Sequence, residues 1–258
     1  NNKEDLIDTL KSLDSLTKDK SIIDLYEILV IDNSLDKNIK NLCEANKYIK
    51  YLKQIDDGIF FAFNLGIKEA SGKYIWFLNS GDIFANLINI KEFLYKLKNY
   101  NYPIILFKTI IYSKLLDKNI GEQPIFFPKN YLIYRFLNFF LPFSFGYCHQ
   151  SAIFRKDIHL KKLYKYPDML GQDSKLIQSL LSGNNYKLIN MPFSLFYLGG
   201  LSSSRPKDYK KFKKILFERL INKQFISFFS LIIKYYFFRN QTNIEKAIYY
   251  RNKVCLLY

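Results

Sequence analysis

Two aspartates stand where short apolar runs stop, which is where a polar site would form. Asp32 follows Tyr26-Glu-Ile-Leu-Val-Ile31, and Asp82 follows Tyr74-Ile-Trp-Phe-Leu78 through Asn79, Ser80 and Gly81. A carboxylate so placed can help hold a hard divalent ion against phosphate oxygens, or accept hydrogen bonds from a ribose or a base. It can equally cap a helix or shape a turn, and for each aspartate alone both readings stand. Two at successive strand ends point to one shared polar site. Of the two histidines, His159 lies beside Lys161 and Lys162 and reads as surface, while His149 is the candidate for chemistry.

The elements that must position these groups alternate. Leu6, Leu10, Leu13 and Leu16 predict a helix, Tyr26–Ile31 a buried strand, Leu42–Ile49 a helix, and Phe60–Ala70 a helix stopped by Gly72. Tyr74–Leu78 predicts the next strand, then a helix over 87–98 and a strand over 104–111. Such alternation predicts an α/β domain with a mainly parallel sheet, whose ligands sit beyond the carboxyl ends of the strands. The pattern breaks near residue 112, and the aromatic, basic, proline-punctuated stretch 125–147 reads as an excursion or lid. Short strands are expected again at 152–155 and 186–189, with a helix at 173–182 between them.

Several runs together resemble a bacterial family 2 glycosyltransferase of the GT-A fold. They are Glu27–Asp36, Asp56-Asp-Gly through Asn64 and Gly66, Ala70-Ser-Gly-Lys-Tyr through Asp82, His149-Gln150, Gln172-Asp173 and Gly199-Gly-Leu-Ser202. The resemblance covers 1–204 and is most specific over 56–82, where it is similar to the branch that builds lipopolysaccharide, capsule and exopolysaccharide sugars. It implies a Rossmann-like catalytic domain over 1–204 and a separate helical segment over 205–258. Asn1–Leu6 resembles the stretch just after the family's first strand, so the resemblance also implies a strand before Asn1.

Sugar transfer from a nucleotide diphosphate requires neutralisation of the departing diphosphate, a base for the acceptor hydroxyl, and recognition of the nucleotide. By resemblance, Asp82 holds a divalent metal, Mn²⁺ or Mg²⁺, with Asn79, Ser80 and Gly81 completing the turn around the donor. Asn79 and Gly81 stand where many relatives are acidic, which leaves one carboxylate and implies a metal that binds well only with the nucleotide. His149 is a further candidate ligand; its other reading is a buried hydrogen-bonding residue that orients a loop. Asp32 and Asp56, with Asp57 as an alternative, are carried over as nucleoside-binding residues. Asn64 and Gly66 are carried over as flanking the diphosphate and sugar, and Gly200 as part of a loop closing over the donor. Asp173 matches the catalytic base of an inverting transfer, or else is an N-cap. Phe60-Phe-Ala-Phe-Asn-Leu65 replaces a polar helix face, either for packing or for altered donor recognition. Arg155 either meets phosphate or is a surface side chain.

Charge bounds the partners. The 258 residues carry 39 Lys+Arg against 23 Asp+Glu, a net +16. A/T-rich codon bias explains much of the Lys content, but residues 205–258 hold 13 basic and 3 acidic side chains, so the excess is local. The face Tyr209, Phe212, Leu216 and Leu220, with lysines largely off it, and the aromatic run 225–238 have the composition of an in-plane anchor on an anionic membrane. The other reading is a helical appendage packed on the catalytic domain or on a second copy. The resemblance therefore implies a nucleotide sugar, most simply a UDP-sugar, and a glycan or lipid-linked acceptor at the cytoplasmic face of the membrane. A catalytically silent module binding a membrane or polyanion through the basic segment is the alternative. Nucleic acid is not expected, since the basic segment has no nucleic-acid signature. Cys43, Cys148 and Cys255 match neither a disulfide scaffold nor a metal spacing, which is the pattern of a reducing cytoplasm. Without a charged-then-apolar leader, no signal peptide is expected.

Overall fold

A computed structural model describes residues 3–35, 37–55, 58–114, 116–124, 131–133, 146–165 and 172–198. The chain divides into two compact units, residues 1–109 with 147–195, and residues 110–146 with 196–258. The expected boundary at 204/205 and the basic segment 205–258 lie outside the described residues.

The first unit opens with α1 (Lys3–Ser12) and α2 (Asp14–Thr17), two helices where leucine spacing predicts one. β1 (Ile28–Asp32) pairs in parallel with β2 (Ile49–Lys53), Ile28 facing Ile49 and Asp32 facing Lys53. α3 (Lys37–Glu44) connects them and buries Ile39 and Cys43. The helix expected over 42–49 is thus corrected. It ends at Glu44, the Asn46 carboxamide accepts from the Tyr48 N–H at 3.0 Å, and Ile49 begins a strand.

α4 (Ile59–Glu69) packs on β1 at Gly66, where a Cβ would lie 3.0 Å from Ile31 Cδ1. Only glycine allows so close an approach without displacing that methyl. At the helix's end the Glu27 carboxylate accepts from Ser71 N, Ser71 Oγ and Gly72 N, which fixes the turn into β3 (Tyr74–Trp76). After β4 (Ile83–Phe84), Asn89 caps α5 (Ile90–Asn99) by accepting from Glu92 N. β5 (Ile104–Ser113) buries Ile104, Ile105, Leu106 and Phe107, the pattern of a strand covered on both faces.

β6 (Lys118–Gln123), β7 (Ala152–Arg155) and β8 (Lys187–Leu198) complete a six-stranded sheet. The path is β3-β7-β5-β8-β4, with β6 on β5. This sheet is not mainly parallel, because β3–β7, β5–β7 and β4–β8 are antiparallel; the parallel pair β1–β2 forms a separate two-stranded sheet, so the fold as a whole is mixed. The alternating pattern does not reveal this, since these partners are far apart in sequence. The core joins Leu13, Leu16, Ile22, Phe84, Phe93, Ile105, Phe107, Ile153 and Phe193, with the Phe107 and Phe193 rings stacked at 4.3 Å. Each large side chain buried there contributes about 2 kcal/mol.

In the second unit, the Tyr112 hydroxyl donates to Asp117 at 2.7 Å, and the Tyr112 and Tyr197 rings meet edge to face. Most of the stretch 125–147 lies outside the described residues. Among the described residues no helix is long and apolar enough to cross a membrane.

Candidate active site

The carboxyl end of β3 leads into a tight turn. Gly81 adopts φ +93°, a conformation that favours glycine, and its N–H donates to Thr9 Oγ1 at 2.8 Å and to the Asp5 carbonyl at 3.2 Å. α1 therefore holds the turn in place, and its Ser12 hydroxyl also accepts from Phe84 N at 3.0 Å. Asp82 closes the turn: its N–H donates to the Asn79 carbonyl at 2.9 Å, and its Oδ2 accepts from Asn79 N at 3.2 Å. Ser80 is exposed at the tip. Asp82 itself is 6% exposed, and burial pushes its carboxyl up to about 6. The Gln150 and Asn79 amides donate to it and oppose that rise, so the group is mostly ionised at neutral pH.

Asp173 lies in the first turn of the helix Gln172–Leu181, which docks through Leu176, Ile177, Leu180 and Leu181. Burial raises its carboxyl above the ordinary range, against the Ser174 N–H that donates to Oδ1 at 2.8 Å. One side chain reports on both carboxylates. Burial first, then Asp82 and Asp173, push the Cys148 thiol up to about 12. A residue directly before His149 thus lies within electrostatic reach of both acids.

His149 is packed in an aromatic box. Its ring is 5% exposed, stacks on Phe77 at 4.8 Å and shares a 2.8 Å hydrogen bond between Nε2 and the Tyr164 hydroxyl. Phe63 and Phe154 close the box, and burial with the nearby His159 pushes His149 down to about 3. That packing is of a hydrogen-bonding residue, and it leaves the metal reading of His149 without support among the described residues. His159 is corrected from surface to core: it is 1% exposed on the short helix Lys156–Leu160, against Phe77, Phe154 and Tyr164. Among the described residues neither of its ring nitrogens has a hydrogen-bond partner, and burial pushes it down to about 4.

Asn64 serves this box as well. Its Nδ2 donates to the Tyr164 carbonyl at 2.8 Å, and its Oδ1 accepts from Tyr164 N at 3.0 Å. The next residue, Lys165, donates its N–H to Gln172 Oε1 at 3.1 Å, beside Asp173. Phe60 and Phe63 pack on Tyr164 too, so these two apolar replacements on α4 are packing. Asp32, 8% exposed at the end of β1, accepts from Ser34 N at 2.8 Å and from the Tyr51 hydroxyl at 3.0 Å. Asp56, Asp57, Gly199, Gly200 and Ser202 lie outside the described residues.

The sequence model of the family described as Glycosyl transferase family 2 matches residues 1–160. This chain belongs to glycosyl transferase family 2. It is similar to an uncharacterised glycosyltransferase of Rickettsia conorii, 47% identical over 62 residues, which are 23% of this chain and 10% of that protein. It is also similar to an uncharacterised glycosyltransferase of Haemophilus influenzae, 35% identical over 77 residues, 28% of this chain and 31% of that one. The matched stretch is thus a tenth of the length of the Rickettsia relative. The fold is similar to the crystal structure of S. aureus TarS 1–349 in complex with UDP-GlcNAc, with TM-score 0.60, 16% identity, and 90% and 70% of the two chains covered. That likeness shows a GT-A-like α/β fold.

For a family 2 protein the donor set at this turn is spare. Among the described residues no group of three or more His, Cys, Asp and Glu side chains could hold a metal ion. One ionised carboxylate at Asp82 still fits an ion of the Mg²⁺ or Mn²⁺ kind, which takes one or two protein carboxylates and completes its shell with water and substrate phosphates. Three residues at this candidate site escaped sequence reasoning as site residues: Gln150, whose amide donates to Asp82, Cys148, within electrostatic reach of both acids, and Tyr164, bonded to His149 and Asn64. Gln150 carries a signal, its place in the His149-Gln150 pair, whereas Tyr164 carries none.

Proposed function

We propose that this chain transfers a sugar from a nucleotide diphosphate, most simply a UDP-sugar, to a hydroxyl of a bacterial surface glycan or lipid-linked saccharide, with inversion. The observation that carries this reading is the buried Asp82 carboxylate in the turn after β3, held by Gln150 and Asn79, together with the half-buried Asp173 in the first turn of the helix Gln172–Leu181. The UDP-GlcNAc bound in the TarS crystal structure supports the donor class.

In this reading Asp82 holds a divalent ion, which when bound neutralises the diphosphate leaving group. Gln150 and the Asn79–Gly81 turn keep Asp82 ionised and oriented. Asp173 takes the proton of the acceptor hydroxyl, and its raised carboxyl suits a base working near neutrality better than an ordinary aspartate does. Asp32, with Asp56, receives the nucleoside. The basic segment 205–258 would keep the enzyme at the cytoplasmic membrane face, close to a lipid-linked acceptor.

The test is a screen of nucleotide sugars for Mn²⁺-dependent transfer or hydrolysis, followed by Asp173→Asn. That variant should bind UDP like the wild type and lose transfer by about 10²- to 10⁴-fold, the span of general-base catalysis. Normal turnover by Asp173→Asn would remove the base assignment.

A further inference from the structure

The amino end of β3 carries a different site. Arg155 faces Tyr74 across the β3–β7 ladder, whereas Asp82 follows the carboxyl end of β3, so Arg155 is not a ligand of the donor's diphosphate. A cleft of about 430 Å³ opens beside it, and three cations line it: Lys73, Arg155 and Lys156.

Lys73 and Lys156 are fixed by neutral acceptors, and Arg155 by neutral acceptors and one carboxylate. Lys73 Nζ donates to the carbonyls of Lys98 at 3.0 Å and Tyr100 at 2.7 Å, and Lys156 Nζ donates to the carbonyl of Ala70. Arg155 Nη1 donates to the Asn101 carbonyl at 3.1 Å and to its Oδ1 at 2.6 Å. A carbonyl holds an ammonium or guanidinium in place without cancelling its charge, so these cations are preorganised and remain positive. One carboxylate lines the cleft, Asp157, which accepts from Arg155 Nε at 2.7 Å. Glu27, behind Ser71 and Gly72, is engaged by their N–H groups and the Ser71 hydroxyl. These bonds use Nε and Nη1 of Arg155 and leave both Nη2 donors uncommitted among the described residues.

We propose that this cleft binds the phosphate of a phosphomonoester, at a place separate from the sugar-transfer site. Three cations against one lining carboxylate leave two positive charges unmatched, which suits a group carrying about −1.5 to −2 at neutral pH. Arg155 offers phosphate oxygens its two remaining Nη2 donors, with the rest of the guanidinium held in place by Asn101 and Asp157. The cleft exceeds a bare phosphate and admits the small polar group esterified to it. That group is either a soluble polyol or sugar, or the glycerol of a phospholipid headgroup.

The test uses the full chain. Calorimetry with glycerol 3-phosphate, and sedimentation with phosphatidylcholine vesicles with and without phosphatidic acid, are compared for wild type, Arg155→Gln and Lys73→Gln. Thermal unfolding checks that each variant is folded, and either variant alone suffices if the other is not. The expected result is binding of at least one phosphomonoester by the wild type, weakened tenfold or more in the variants, with Mn²⁺-dependent UDP binding unchanged. Variant-sensitive binding of the soluble ester marks a soluble ligand, and variant-sensitive sedimentation confined to phosphatidic acid marks the headgroup. Equal binding by wild type and folded variants, or none by the wild type to either probe, overturns the site. Loss of UDP binding in the wild type would count against sugar transfer and leave this cleft standing.

Discussion

Asp82 and His149 are buried to nearly the same degree, 6% and 5% exposed, and burial pushes each toward its neutral form, yet they reach opposite states at neutral pH. Asp82 rises only to about 6 and stays mostly charged, whereas His149 falls to about 3 and is neutral. Much of the difference is intrinsic, since an ordinary histidine is already mostly neutral at pH 7 and an ordinary aspartate charged; the neighbours decide how far burial moves Asp82 toward neutrality. Asp82 receives amide donors from Gln150 and Asn79, while His149 receives one hydroxyl and a wall of aromatic rings. Adjacent residues serve the two regions: His149 fills the box and Gln150 holds the acid. The amide donors thus keep a deeply buried Asp82 mostly ionised, while His149, buried to the same depth, stays in its ordinary neutral form.

The largest expected effect is at Asp82. Because its folded carboxyl titrates near 6 rather than at its ordinary 3.8, the native state loses stability as pH rises from about 4 through 6, and the loss persists above. Asp82→Asn removes that penalty, so thermal unfolding at pH 7 should show a gain of up to about 3 kcal/mol that vanishes near pH 3.5. Transfer should be lost in the same variant. A destabilised Asp82→Asn at pH 7 would break the comparison.

The histidines act with the opposite sign. His159 titrates near 4 in the fold and near 6.5 when unfolded, so its contribution is present above 6.5 and lost as pH falls toward 4. His159→Phe should reduce the stability lost between pH 6.5 and 5 by roughly 2 kcal/mol, read by urea unfolding at the two pH values. An unchanged pH slope would show that His159 is not held neutral.

A smaller effect links the regions. Asn64→Ala removes both bonds to the Tyr164 backbone and should cost about 1–2 kcal/mol in urea unfolding. Transfer should fall more than UDP binding, because Lys165 beside Tyr164 bonds Gln172 next to Asp173. Weakened UDP binding with stability intact would return Asn64 to the donor.

Much of the fold was legible because apolar periodicity marks β1, α4, β3, β7 and the helix Gln172–Leu181 directly. Ile49–Lys53 was not, because a short turn at Asn46 separates helix from strand without a glycine or proline to announce it. The antiparallel pairings join partners far apart in sequence, so no local pattern encodes them. At the site, resemblance singled out Asp82 and Asp173, but only the fold shows Cys148 within reach of both. His159 misled because the lysines at 161 and 162 read as surface, while the short helix turns its ring inward onto Phe77.

In the proposed reaction Asp82 is kept charged to meet a diphosphate through a divalent ion. Calorimetric titration of UDP into wild type and Asp82→Asn at pH 7, with and without Mn²⁺, tests it most directly. The wild type should bind UDP in an Mn²⁺-dependent way, and a folded Asp82→Asn should lose that binding. Equal UDP binding by the two proteins, with Mn²⁺ present, would contradict it.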